Sequence, residues 1–178
     1  MTPLGLKRLG RRSAEKDKPV LAVDIDGVVS LLGFEELPQQ PAAEMVLVGG
    51  AMHCISLEAG QRLRELGESF EIVWASGWER RSNELGRQLR LPEYPYLTFK
   101  GAARFGSAHW KAEPLERYAR GRPLAWVDDS LDGRCYEWAR SRPVPTLLVE
   151  VEAHLGLQEV HAEALFAWAR SLAAEDPD

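Results

Sequence analysis

Val20-Leu21-Ala22-Val23-Asp24-Ile25-Asp26-Gly27 is an apolar run that ends abruptly in two carboxylates and a glycine, and the architecture of the whole chain follows from it. The run fits a short strand buried in a sheet. Two carboxylates two residues apart at the end of such a strand lose hydration that a partner must replace, and a metal ion is the obvious partner. Gly27 lets the backbone turn sharply and approach a ligand closely, as a phosphate site at a strand terminus requires. Taken alone, the tetrapeptide also fits an ordinary Asp/Gly turn.

Three further apolar runs, at residues 70–75, 124–128 and 146–151, are separated from the first and from one another by segments of helical character. The helices are expected over 56–67, 79–91, 112–120, 132–142 and 159–174. Leu57, Leu63 and Leu66 give the first its apolar face and Gly67 its stop; Val160, Leu165, Phe166, Trp168, Ala169 and Leu172 pattern the last. Pro143 and Pro145 fit a helix end before a strand. Strand alternating with helix predicts an α/β protein, a three-layer Rossmann-like fold with a mainly parallel sheet. The stretch 31–55 breaks the alternation. Pro38-Gln39-Gln40-Pro41 reads as a loop, and 45–48 and 52–55, joined by Gly49-Gly50, read as a small β-hairpin flap.

The 178 residues fit one domain over 19–174, followed by a tail at 175–178. Hydrophobic residues make up 45% and charged residues 28%, and the net charge of −5 argues against a general polyanion-binding surface. Lys7, Arg8, Arg11, Arg12, Lys16 and Lys18 make residues 1–18 a basic arm, expected to be disordered. That arm lacks the apolar core of a secretory signal, and no segment approaches the roughly 18 apolar residues of a membrane span, so the expected setting is cytoplasmic with no membrane partner. Cys54 and Cys135 are too few and too far apart for a disulfide framework or zinc knuckle, and are expected as reduced thiols.

In a parallel sheet ligands sit beyond the carboxyl ends of the strands, and the first three runs end in polar residues. They end in Asp24-Ile25-Asp26-Gly27, Ala75-Ser76-Gly77 and Val127-Asp128-Asp129, and Lys111 stands before the helix leading into the third. In this order the four pieces resemble a haloacid dehalogenase (HAD)-like phosphatase domain, over roughly residues 20–169. Within that superfamily the chain is most similar to the small HAD domains associated with bacterial RNA-repair (Swiss Army Knife) proteins. Trp74-Ala75-Ser76-Gly77-Trp78-Glu79-Arg80-Arg81-Ser82-Asn83, Leu91-Pro92, Thr146-Leu147-Leu148-Val149 and Gly156-Leu157 carry that finer likeness.

The resemblance implies a magnesium-dependent phosphatase without a large cap domain. Asp24 is the expected nucleophile, since a carboxylate that forms an aspartyl-phosphate splits hydrolysis into two easier steps. Asp26 is the expected proton donor to the leaving oxygen and later the base for the hydrolytic water, and family precedent gives its backbone carbonyl to the metal. Mg2+ favours oxygen ligands and needs only one or two carboxylates, so Asp24 and Asp128 are the expected pair, with Asp129 contacting the ion through water or replacing Asp128. Ser76 with the N–H of Gly77 is expected to bind phosphate oxygens, and Lys111 to neutralise the phosphate and nucleophile, with Lys100 as fallback. Gly27 brings backbone close to the substrate. Trp78 and Arg80, with Arg81 and Asn83, lie just past Ser76 where substrate contact is expected.

Each residue also has a plainer reading. Asp128-Asp129 could cap the following helix, Ser76 could be a helix cap, Lys111 a solvated lysine, and Trp78 to Asn83 an ordinary helix surface. Trp74, Trp126, Phe166 and Trp168 read as core. His53, His109, His154 and His161 show no metal spacing, though His109 is close enough to Lys111 to line the site. A site without a large cap suits a phosphate protruding from a large substrate, such as a nucleotide or nucleic-acid end, with any protein partner unidentified. Two rivals remain: a non-catalytic binding module of the same fold, and a phosphorylation receiver domain. The receiver places its acidic pair on the first strand and its phosphoacceptor later, the reverse of the order here.

Overall fold

In the computed structural model, which describes residues 18–36, 42–101 and 106–175, the four apolar runs become the four parallel strands of one sheet. The basic arm over 1–18 lies, except for Lys18, outside the described residues, as do the Pro38–Pro41 loop and residues 176–178. In chain order the elements are β1 (Val20–Val23), β2 (Ser30–Leu31), β3 (Ala43–Val48), β4 (Ala51–Ser56), α1 (Leu57–Leu66), β5 (Glu71–Trp74) and α2 (Ser82–Gln88). They continue with α3 (Ala112–Ala119), β6 (Leu124–Asp128), α4 (Gly133–Ser141), β7 (Thr146–Glu150) and α5 (Glu159–Glu175). The parallel sheet runs β5-β1-β6-β7.

β1 is central because every residue in it is apolar and can be buried on either face. Side chains alternate across a strand, and the alternation sorts the core into two layers. Leu21 and Val23, with Ile72, Trp74, Ala125 and Val127, face α1 (Ala59, Leu63, Leu66) and α5 (Ala162, Leu165). Val20 and Ala22, with Val73, Leu124 and Trp126, face α3 (Leu115, Ala119) and Cys135 of α4. The result is a helix–sheet–helix sandwich. Trp74 and Trp126 are fully buried, as expected of core, and truncating such a residue to alanine costs about 3–5 kcal/mol. Phe166 and Trp168 pack on the first layer, Trp168 stacking on Phe70.

The flap is a three-stranded antiparallel sheet of order β2-β4-β3. Gly49 and Gly50 both have positive φ, 58° and 83°, the geometry of a tight two-residue hairpin turn that glycine adopts freely. β2 has no sequence signal, because two residues show no periodicity. It exists because the amides of Val29 and Ser30 both reach back 2.9 Å to the carbonyl of Ile25, folding the chain after Gly27 onto β4.

The helix expected over 79–91 is shorter and interrupted. A 3-10 turn (Glu79–Arg81) precedes α2, and Glu79 has φ 47°. The Glu79 carboxylate accepts from the Phe99 amide at 2.9 Å and its own amide bonds Ser76 O, tertiary and turn contacts that override helix propensity here. No helix among the described residues is long and apolar enough to cross a membrane.

Candidate functional site

Strand register brings the first and third motifs together. Val23 pairs with Val127, and the Asp24 amide donates to Val127 O at 3.1 Å, so Asp24 and Asp128 leave adjacent strands side by side, about 5 Å apart in backbone spacing. Asp129 follows directly. One oxygen from each of Asp24, Asp128 and Asp129 lies within 4.8 Å of the others. Gly27 makes this possible from the opposite side: its φ is 73°, and a Cβ there would collide with the Asp129 carboxylate.

Lys111, from the 3-10 turn that opens α3, inserts its ammonium between two of these groups, 2.6 Å from Asp24 Oδ2 and 2.7 Å from Asp128 Oδ2. It is 4% exposed, which corrects the reading of a solvated lysine. Burial lowers its pKa, but the charges and hydrogen bonds of Asp24 and Asp128 outweigh burial and raise it. One ammonium does not balance three carboxylates. Burial, then the neighbouring Asp24 charge, pushes Asp128 up to about 6 despite its contacts with Lys111, and the same two causes raise Asp129. Asp132, not Asp128 or Asp129, caps α4, accepting from the amides of Arg134 and Cys135, so the capping alternative for the acidic pair does not hold.

Asp26 sits beside this cluster rather than in it. Its carboxylate accepts a hydrogen bond from the indole Nε1 of Trp78 at 2.9 Å. Burial is the largest cause raising its pKa, opposed by that indole N–H and reinforced by the Asp24 charge. Ser76 is 1% exposed and faces the same depression, as does Gly77. The Trp78 amide donates to Ser76 Oγ over 3.4 Å, a weak turn contact, and no helix is capped by Ser76.

These residues line one depression of about 610 Å³, together with Leu32, Trp78, Arg81 and Trp110. Arg80 is exposed and does not line it; Arg81 does, with its guanidinium 4.9 Å from the Trp78 ring centroid and hydrogen-bonded to Gly49 O of the flap turn. Of the two arginines expected to contact substrate, only Arg81 therefore faces the depression. Asn83 is structural: its carbonyl oxygen accepts from Trp74 Nε1 and its amide nitrogen donates to Tyr94 O. His109 does not line the depression, whereas its neighbour Trp110 does, and adjacency to Lys111 was the only signal for it. Lys100 lies on a different depression altogether, so Lys111 alone serves the carboxylates. His53 is buried against Trp78 and hydrogen-bonded to Ser30.

The donors in the acidic cluster are all hard oxygens, carry more negative charge than Lys111 neutralises, and sit at a strand-end depression open to solvent. That set fits a divalent cation of the oxygen-binding class.

No protein-family model matches this chain, and no curated protein does. Among solved structures, a hypothetical protein from Xanthomonas campestris is similar at 12% identity with a TM-score of 0.45, covering 100% of this chain and 97% of that one.

Proposed function

We propose that the chain is a magnesium-dependent phosphohydrolase of the HAD type, acting through an aspartyl-phosphate on an accessible phosphomonoester such as a nucleotide or nucleic-acid end. One observation carries the reading: Asp24, Asp128 and Asp129 converge at a strand-end depression with a buried lysine bridging two of them. A structural role accounts poorly for this, because three carboxylates with one cation cost stability that better-balanced groups would not.

Asp24 attacks the phosphorus, and the leaving alkoxide takes a proton from Asp26. Asp26 then accepts a proton from the water that cleaves the aspartyl-phosphate, which returns both carboxylates to their starting states. Ser76 and the Gly77 amide orient the phosphate oxygens, and Lys111 holds the Asp24 carboxylate in place while offsetting its charge. Asp24 and Asp128, with Asp129 and the Asp26 carbonyl, would hold Mg2+, which when bound supplies neutralising charge to the phosphoryl group. The buried free thiols Cys54 and Cys135 support the cytoplasmic setting.

Hydrolysis of an aryl phosphate with and without added Mg2+ tests the reading. The wild-type protein is expected to turn over only with the metal, and Asp24→Asn to abolish turnover while keeping the melting temperature. Full activity after chelation, or in Asp24→Asn, would overturn it. Failure of beryllium fluoride to form a magnesium-dependent complex at Asp24, together with absent turnover, would leave a non-catalytic binding module.

A further inference from the structure

A second depression, about 750 Å³, lies between the edge strand β5, the segment 96–100 that follows it along the sheet edge, and α3. Its lining is at odds with the rest of the molecule. In a chain of net charge −5, four cations line it, Lys100, Arg117, Arg120 and Arg122, against one carboxylate, Glu71. Glu71 is already neutralised by Arg122, 2.6 Å away. Arg117 has only a loose, exposed contact with Glu113 at 3.6 Å, and no carboxylate among the described residues pairs with Lys100 or Arg120. The groove therefore keeps a surplus of positive charge that the fold does not use.

Aromatic side chains are interleaved with these cations. Tyr96 is 36% exposed on the groove, and the partly buried Phe99 and Tyr118 also line it. Phe99 also joins the groove to the candidate active site, because its ring lies edge-on to Trp110, centroids 4.4 Å apart, and Trp110 lines the other depression. A cationic track with stacking platforms matches single-stranded nucleic acid, whose phosphates follow the charges while its bases find aromatic faces. An acidic peptide would use the charges and leave the aromatic surface without a role.

We propose that this groove binds the chain of a single-stranded nucleic acid whose terminal phosphate enters the depression at Asp24. The inference rests on the phosphatase reading for the role of that terminus, and on the groove's own chemistry for the strand. It would give local nucleic-acid affinity to a protein whose overall charge argues against it.

Fluorescence anisotropy of a labelled single-stranded oligonucleotide bearing a terminal phosphate, titrated with the full chain at low and moderate salt, tests it. Binding is expected to weaken with salt, to fall about tenfold or more in Lys100→Glu/Arg120→Glu, and to fall about fivefold to a hundredfold in Tyr96→Ala. A labelled oligoglutamate of equal charge is expected to bind more weakly and to ignore Tyr96→Ala. No binding by the wild-type protein, unchanged binding in both variants, or equal affinity for oligoglutamate would each overturn the proposal, the last in favour of an acidic-peptide groove. The outcomes separate the two readings: strand binding that responds to the variants without hydrolysis retires the phosphatase, and hydrolysis of small esters without strand binding retires the groove.

Discussion

The two ends of the parallel sheet handle charge in opposite ways. At the amino end, Glu71 meets the Arg122 guanidinium through two hydrogen bonds and the Tyr118 hydroxyl through a third, one negative charge matched by one positive. Burial pushes the Glu71 pKa upward, but Arg122 and Tyr118 outweigh it and the carboxyl ends below its ordinary value. At the carboxyl end, three carboxylates share one lysine, and Asp128 and Asp129 are raised instead. The carboxyl-end cluster is the more deeply buried of the two, so an imbalance of charge there costs more. Stoichiometry separates them as well: the balanced cluster serves the fold, whereas the unbalanced one costs stability that a bound cation would offset.

The contrast can be broken most severely at the carboxyl end. Asp26→Asn removes the proposed proton donor but not the proposed nucleophile, and is expected to slow turnover by about 10²–10⁴-fold with little loss of stability, read by steady-state kinetics and thermal melting. Lys111→Met leaves Asp24 and Asp128 facing each other without their cation. It is expected to cost about 3–5 kcal/mol in chelator, with a larger stabilising response to added Mg2+ than the wild type shows. A variant as stable as wild type would mean that the cluster is not under electrostatic stress.

Trp78→Phe keeps the ring and deletes the N–H that holds Asp26. About a tenfold loss is expected for alkyl phosphates, which need a proton on the leaving oxygen, and much less for p-nitrophenyl phosphate, which does not. An equal loss on both esters would assign Trp78 to packing.

Glu71→Gln at the amino end is the smallest perturbation. Because the folded pKa of Glu71 lies below its ordinary 4.5, its contribution is present above that pH and is lost as pH falls through the lowered value. The variant should lose about 1 kcal/mol or less at neutral pH and show a flatter stability profile between neutral pH and acid, measured by urea denaturation. A neutral-pH loss matching Lys111→Met would erase the distinction between the two ends.

Much of this was legible beforehand, for reasons that can be stated residue by residue. A strand made only of apolar residues has to be central, and a parallel sheet carries its strand ends to one side, so Asp24, Ser76 and Asp128 were bound to gather wherever their strands paired. Lys111 was legible only through the resemblance, since a lysine before a helix carries no burial signal of its own. Of the two arginines expected at the site only Arg81 lines it, and Trp110 lines it where His109 does not. Both positions fall in 3-10 turns, and nearness in sequence to Ser76 or Lys111 does not say which side chain of such a turn faces the site. The pairing of Asp26 with Trp78 spans 52 residues and leaves no local trace.

Local pattern alone determined the alternating elements, the buried strands and the acidic ends of β1 and β6, because period and polarity are properties of neighbouring residues. Only the tertiary structure decided that three carboxylates would share one lysine, that an indole would hold Asp26, and that four cations would line a groove beside the site. Charge balance is summed over whatever the fold brings within a few ångströms, and that sum exists only once distant segments have packed together.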